Sequence, residues 1–129
     1  MTKKEIIKGN KLIAKFDGLE YLGKNVHGFS GYVFNLDKLN VEENCLCYCN
    51  SESMKYHSSW DWLMRVVEKI DFTEIDGRNV NVDISWCGTK IKHPLQCFDG
   101  EYSKANDSRI MRTWSVIVEF IKWYNKNNK

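Results

Sequence analysis

A single proline, Pro94, interrupts the 129 residues, and the eight glycines are scattered. That scarcity excludes proline- or glycine-rich linkers and low-complexity architecture. No internal repeat is visible. No apolar run approaches the roughly 18 residues that cross a bilayer, so no membrane partner is expected. The opening Met1-Thr2-Lys3-Lys4-Glu5 leads into an amphipathic segment, which argues against a signal peptide. An excess of one charge is also missing. Nineteen Lys and Arg against 17 Asp and Glu leave a net +2, too little by itself to mark a nucleic-acid protein. There is no G-x-S-x-G elbow, Walker A loop, H-E-x-x-H helix or dinucleotide-binding fingerprint. No catalytic residue, cofactor or metal is therefore expected.

What is present suits one globular domain over residues 1–129. The chain is 43% hydrophobic and 28% charged, with five Trp, six Tyr and six Phe, enough large apolar surface for a real core. Five Cys in no familiar disulfide spacing favour a reducing, intracellular setting.

Helical spacing predicts a first helix over about 3–16. Ile6, Ile7, Ile13 and Ala14 share one face at about 100° per residue, with Lys4, Lys8, Lys11 and Lys15 roughly opposite. Gly18 stops it. Residues 19–31 carry three glycines and read as a loop. Gly31 to Leu36 reads as a strand, and Cys45 to Cys49 as a possible second one. A second helix is predicted over 59–70, capped by Ser58 or Ser59, with Ser58 and Asp61 approximating a capping box. Its inner face is expected to hold Trp60, Leu63, Val67 and Ile70, flanked by Met64 and Val66. Val80, Val82, Ile84 and Trp86 alternate with polar residues, the period of a half-buried strand. Cys87-Gly88 turns this strand into a partner over 89–93, which Pro94 ends. Residues 100–107 read as a polar loop. A third helix over 108–124 carries Ile110, Trp114, Ile117, Val118 and Ile121 on its main stripe, and 125–129 as a frayed tail. Three helices on a small, at least partly antiparallel sheet make an α+β layered sandwich.

Few constellations suggest chemistry. Cys45-x-Cys47-x-Cys49, completed by Cys87, Cys97 or His57, could be a thiolate metal site. On a strand, however, its thiols stand about 6–7 Å apart, whereas tetrahedral zinc needs about 3.8 Å. The bland reading is small apolar core residues. Tyr56-His57-Ser58-Ser59 gathers an imidazole and hydroxyls at a helix start, where free N–H groups can hold a phosphate or carboxylate. Asp61 opposes an anion there, and a serine at that place is commonly a cap. Trp62 points about 200° from Trp60, toward Arg65 and Lys69. It is either packed under a loop or exposed to stack on a base or anchor a partner. A candidate ligand site thus comprises Tyr56, His57, Ser58, Ser59, Trp62, Arg65 and Lys69. Val116, Phe120 and Trp123 make a second stripe on the third helix, buried under sheet and loop or forming a homo-oligomer interface. The lysine stripe is a solvated face or a polyanion contact.

Three stretches resemble a known family: Asn10-Lys11-Leu12-Ile13-Ala14-Lys15-Phe16-Asp17-Gly18, Tyr56-His57-Ser58-Ser59-Trp60 on to Ile70, and Val118-Glu119-Phe120-Ile121-Lys122-Trp123-Tyr124-Asn125. They are similar to small proteins of phages and prophages, especially of Bacteroidetes, with the phage α-β-α sandwich domain. In that domain an N-x-L-I-A helix precedes a Y-x-S-S-W helix start. Asp17 stands where Met is expected, and Arg65 where Pro is expected. The resemblance implies a phage-encoded accessory protein in the bacterial cytoplasm and supplies no catalytic residues. The resulting expectation is a non-catalytic counter-defence protein that sequesters a small anionic, nucleotide-like ligand. The alternatives are an inhibitor binding a host protein or nucleic acid, and a small hydrolase.

Overall fold

The computed structural model describes residues 2–19, 21–24, 32–35, 48–50, 54–85, 87–101 and 108–127. In chain order these form α1 (Lys3–Asp17), β1 (Tyr21–Lys24), β2 (Tyr32–Asn35), β3 (Tyr48–Asn50), α2 (Trp60–Asp71), β4 (Glu74–Ile75), β5 (Arg78–Asn79), β6 (Asn81–Ile84), β7 (Gly88–His93), β8 (Gln96–Glu101) and α3 (Arg109–Asn127). The strands pair as β1-β2-β3, β4-β5 and β6-β7-β8, antiparallel throughout. This is the α+β class expected. Among the described residues no helix is long and apolar enough to cross a membrane.

Local chemistry sets the ends of α1. Thr2 Oγ1 accepts from the Glu5 amide at 3.2 Å, satisfying one orphan donor of the first turn. Gly18 adopts φ 85°, a conformation that costs glycine little. From there its amide reaches the Lys15 carbonyl, and the Leu19 amide reaches Ala14, the paired bonds of a Schellman stop. Glycine also explains a departure from the expected loop over 19–31. Residues 21–24 form β1, and the register with β2 shifts between Tyr21 and Gly23, where Gly23 takes φ 130°. A glycine bulge absorbs the extra residue and lets the segment pair.

The second helix begins at the expected place, but Ser59 at the N-cap makes no side-chain cap bond, so the capping-box expectation is corrected. Its buried face is also rotated from the one expected. Trp62, Leu63, Val66, Val67 and Ile70 are buried, whereas Trp60 and Met64 remain 40% and 39% exposed. Just beyond it, Asp76 and Gly77 both take positive φ and turn β4 into β5. Asp-Gly is a favoured two-residue hairpin turn.

Pro94 ends β7 as expected, and it also redirects the chain so that the sheet continues. With Leu95 it makes a two-residue connection between His93 and Gln96, and β8 follows, taking in Gly100 and Glu101. The helix expected from Ser108 starts at Arg109, with Ser108 Oγ accepting from the Met111 amide at 3.3 Å. Residues 125–127, expected to fray, continue α3, and Asn127 Nδ2 donates to the Trp123 carbonyl at 2.8 Å.

One apolar cluster joins the helices to the β6-β7-β8 sheet. The third helix packs on β7 and β8 and also on α1, while α2 lies against β6, α1 and α3. Both stripes of α3 are therefore used inside the protomer. Val116 is 5% exposed and Phe120 fully buried. Trp123 lies with ring centroids 5.8 Å from Phe98 and 6.0 Å from His93. Of the residues expected either at a subunit interface or under sheet and loop, Val116 and Phe120 are thus taken up inside the protomer, whereas Trp123 is half-buried. Thr89 on β7 and Thr113 on α3 join through their hydroxyls at 2.8 Å in the buried layer.

Candidate functional site

Two buried polar clusters sit where α1 meets the turn before α2. The first centres on Asn10. The Trp114 indole N–H donates to Asn10 Oδ1 at 2.8 Å. An indole nitrogen can only donate, so this bond fixes the amide orientation. Asn10 Nδ2 is therefore the donor, reaching His57 Nδ1 at 3.0 Å and the Met54 carbonyl at 3.4 Å. His57 Nδ1 must then be the acceptor, which leaves the proton of the neutral ring on Nε2. Burial holds the pKa of His57 below its ordinary 6.5, as desolvation disfavours the imidazolium.

The second cluster centres on Asp17 at the end of α1. Tyr56 Oη donates to Asp17 Oδ2 at 3.1 Å, and Arg65 Nε lies 3.5 Å from the same oxygen. The carboxylate is buried, and its pKa is raised above 3.8. Desolvation there outweighs the opposing pull of Arg65, the Tyr56 hydrogen bond and Lys69. Lys69 Nζ sits 5.5 Å above the Phe16 ring, a cation–π arrangement at an exposed position.

These clusters divide the expected ligand residues into two groups. Tyr56 is buried and committed to Asp17. Trp62 is only 1% exposed and packs edge-on against Tyr56, with centroids 5.1 Å apart, so it offers no exposed plate for a base. The expectation that Tyr56 and Trp62 line an accessible site is corrected. Both rings fill the space beneath the turn, because helix burial favours the side of Trp62 that meets Tyr56. His57, Ser58, Ser59, Arg65 and Lys69 remain at least partly accessible. Asn10 was not picked out from the sequence, although it holds the site together. Its one cue was a polar residue beside the apolar face of the first helix.

The thiolate metal site weighed for Cys45, Cys47 and Cys49 falls largely outside the described residues. Cys45 and Cys47 lie outside the described residues, as does the side chain of Cys49. Cys87 and Cys97 are exposed free thiols toward opposite ends of the β7–β8 pairing, and His57 is engaged by Asn10. Among the described residues no group of His, Cys, Asp and Glu could hold a metal ion.

Two grooves flank α3. One, of about 260 Å³, runs between α1 and α3, with Leu12, Trp114 and Val118 below and Glu5, Lys8, Glu119 and Lys122 around it. Lys8 belongs to the lysine stripe. The other, of about 330 Å³, lies between β8 and α3. Comparison of the chain with protein-family models, curated proteins and solved structures finds no match.

Proposed function

We propose that this is a phage-encoded accessory protein of the bacterial cytoplasm that acts by binding rather than turnover. Its ligand is a small anion of the nucleotide class, held at the turn into α2. The observation that carries this reading is the 3.0 Å contact of Asn10 Nδ2 with His57 Nδ1, which turns the Nε2–H outward beside a helix start without a side-chain cap. The Nε2–H of His57, the hydroxyls of Ser58 and Ser59 and the first-turn amides of α2 make a donor set suited to phosphate or carboxylate oxygens. Arg65 and Lys69 add positive charge farther along the helix, and Asp61 opposes it in part. Groups usable in catalysis serve the fold instead: His57 Nδ1 accepts from Asn10, and Tyr56 and Asp17 bind each other. With Trp62 enclosed, recognition rests on the phosphate and not on base stacking.

Thermal shift against inorganic phosphate and cyclic and linear nucleotides tests this directly. A ligand at 100 times its Kd stabilises by about 2.7 kcal/mol, and His57→Ala abolishes that shift. If neither phosphate nor any nucleotide moves the transition, the reading fails. A second reading, a protein partner, is favoured by the α1–α3 groove, where Lys8 and Lys122 flank an apolar floor. Binding there that survives high salt implicates the floor, whereas loss at high salt implicates the lysines.

A further inference from the structure

The β6-β7-β8 sheet has two edges, and they are treated differently. On β6 the outward amide of Val82 donates to Asp71 Oδ1 at 3.1 Å, so a side chain of α2 occupies that edge. The opposite edge is β8. The two-residue connection Pro94-Leu95 makes His93 and Gln96 a hydrogen-bonded pair. Alternation then directs the backbone groups of Phe98 and Gly100 toward β7 and those of Cys97 and Asp99 outward. Among the described residues nothing pairs with these outward groups. Natural proteins seldom leave such an edge undressed.

Beside it runs the second groove, floored by Phe98 and Val116 and walled by Asp99, Arg112, Ser115 and Glu119. Its shape depends on Gly100. A Cβ there would come within 2.6 Å of Val116 Cγ2 and 3.3 Å of Arg112 Nε, so only glycine lets α3 lie this close to the edge. Of the residues in β8, Asp99 and Glu101 are acidic and none is basic. Lys90 and Lys92, across the pairing from Asp99 and Cys97, and Arg112 on the helix wall, offset much of this charge, so Asp99 on the outward register is the acid that a docked strand would meet. Two β8 edges brought together would still set acids near acids, which disfavours self-pairing.

We propose that β8 is a docking edge for an extended basic peptide segment of a partner protein, which adds to the sheet as a fourth strand. Its backbone bonds the amides and carbonyls of Cys97 and Asp99. One apolar side chain enters the groove over Phe98 and Val116, and a Lys or Arg lies opposite Asp99. Main-chain bonds supply affinity in this mode, and alternate side chains supply specificity. The inference is independent of the ligand site at α2.

Two capped hexapeptides, alternating Lys-Val and alternating Glu-Val, serve as probes in amide NMR titrations of the whole chain. The expected result is that the Lys peptide shifts the Cys97 and Asp99 amides, leaves Val82 unmoved and binds at least about tenfold tighter than the Glu peptide, a difference of about 1.4 kcal/mol. Cys97→Pro removes an outward amide, which an edge strand tolerates, and abolishes the shift of the Asp99 amide. Asp99→Lys, which leaves the backbone edge intact, reverses the peptide preference. The proposal is overturned by absence of shifts at about 1 mM peptide, by shifts centred on β6, or by preference for the Glu peptide. Concentration-dependent dimerisation that moves the same β8 amides also overturns it, assigning the edge to a second copy.

Discussion

Asn10 shows how a single amide can determine the state of a neighbouring imidazole. Its Oδ1 is taken by a group that can only donate, so its nitrogen must serve His57. Asn10→Leu strands the buried Trp114 N–H, at a cost of about 1–3 kcal/mol, and frees His57 Nδ1, which is only part-buried. Urea unfolding should show the loss as a lower midpoint at unchanged slope. Asn10→Asp still accepts from Trp114 but cannot donate to Nδ1, so the His57 pKa rises, read from its ring resonances. In the parent protein the two perturbed groups oppose each other with pH. His57 titrates below 6.5 when folded, so its contribution is complete above that value and is lost as pH falls through the lowered pKa. Asp17 titrates above 3.8 when folded, so its contribution is complete below 3.8 and is lost as pH rises through the raised pKa. His57→Gln should therefore remove the loss of stability on the acid side of pH 6.5, and Asp17→Asn the loss on the basic side of pH 3.8. Midpoints measured across that interval separate the two.

Helix α1 carries a glycine in its interior, which intrinsic propensity alone would disfavour. An alanine at Gly9 would gain about 1 kcal/mol of helix propensity. Its Cβ, however, would stand 2.4 and 2.6 Å from carbons of the Trp114 ring, which the bond to Asn10 holds in place. Gly9→Ala should therefore destabilise, by about 1–3 kcal/mol as overpacking does, and a higher melting temperature would refute this account of the contact. The same logic shows why elements were legible from sequence while their partners were not. The first helix followed from the spacing of Ile6, Ile13 and Ala14 and the stop at Gly18, and β6 from the alternation beginning at Val80. The inner face of α2 was not decidable, because Trp60 and Trp62 flank the Leu63–Val67–Ile70 stripe on opposite sides. The choice between them belongs to Tyr56, six residues before Trp62. Cys97, Phe98, Asp99 and Gly100 lack the β-branched residues that announce a strand, so β8 becomes visible only through its pairing with β7. The Asp76-Gly77 hairpin had a recognisable signal. At the candidate site the sequence located the turn, but the buried bond that commits Tyr56 comes from Asp17 of α1, about 40 residues away, and Trp62 is enclosed by packing against Tyr56.

At the scale of the whole molecule, Phe120 joins parts of the chain that are far apart in sequence. Its ring meets Phe16 of α1 at 6.2 Å, Phe98 of β8 at 5.9 Å, and Trp123 and Tyr124 of its own helix at 6.1 and 6.0 Å. The buried ring thus stands between α1 on one side and the sheet on the other, and both apolar stripes of α3 depend on it. Truncation to alanine leaves a cavity where those surfaces meet, and such losses cost about 3–5 kcal/mol. A domain of this size has a total stability of about 5–15 kcal/mol, so Phe120→Ala should unfold near ambient temperature or lose cooperativity. The Met64→Ala change, on the exposed side of α2, should stay within about 0.5 kcal/mol of the parent. Far-ultraviolet circular dichroism and tryptophan fluorescence should give coincident transitions for the parent and for Met64→Ala. For Phe120→Ala, the aromatic environment should be lost before the helices melt, because Trp114 and Trp123 report on the layer that the cavity opens. Coincident and undisplaced transitions in Phe120→Ala would mean that α1 and the sheet are coupled through other contacts, with this ring only filling space between them.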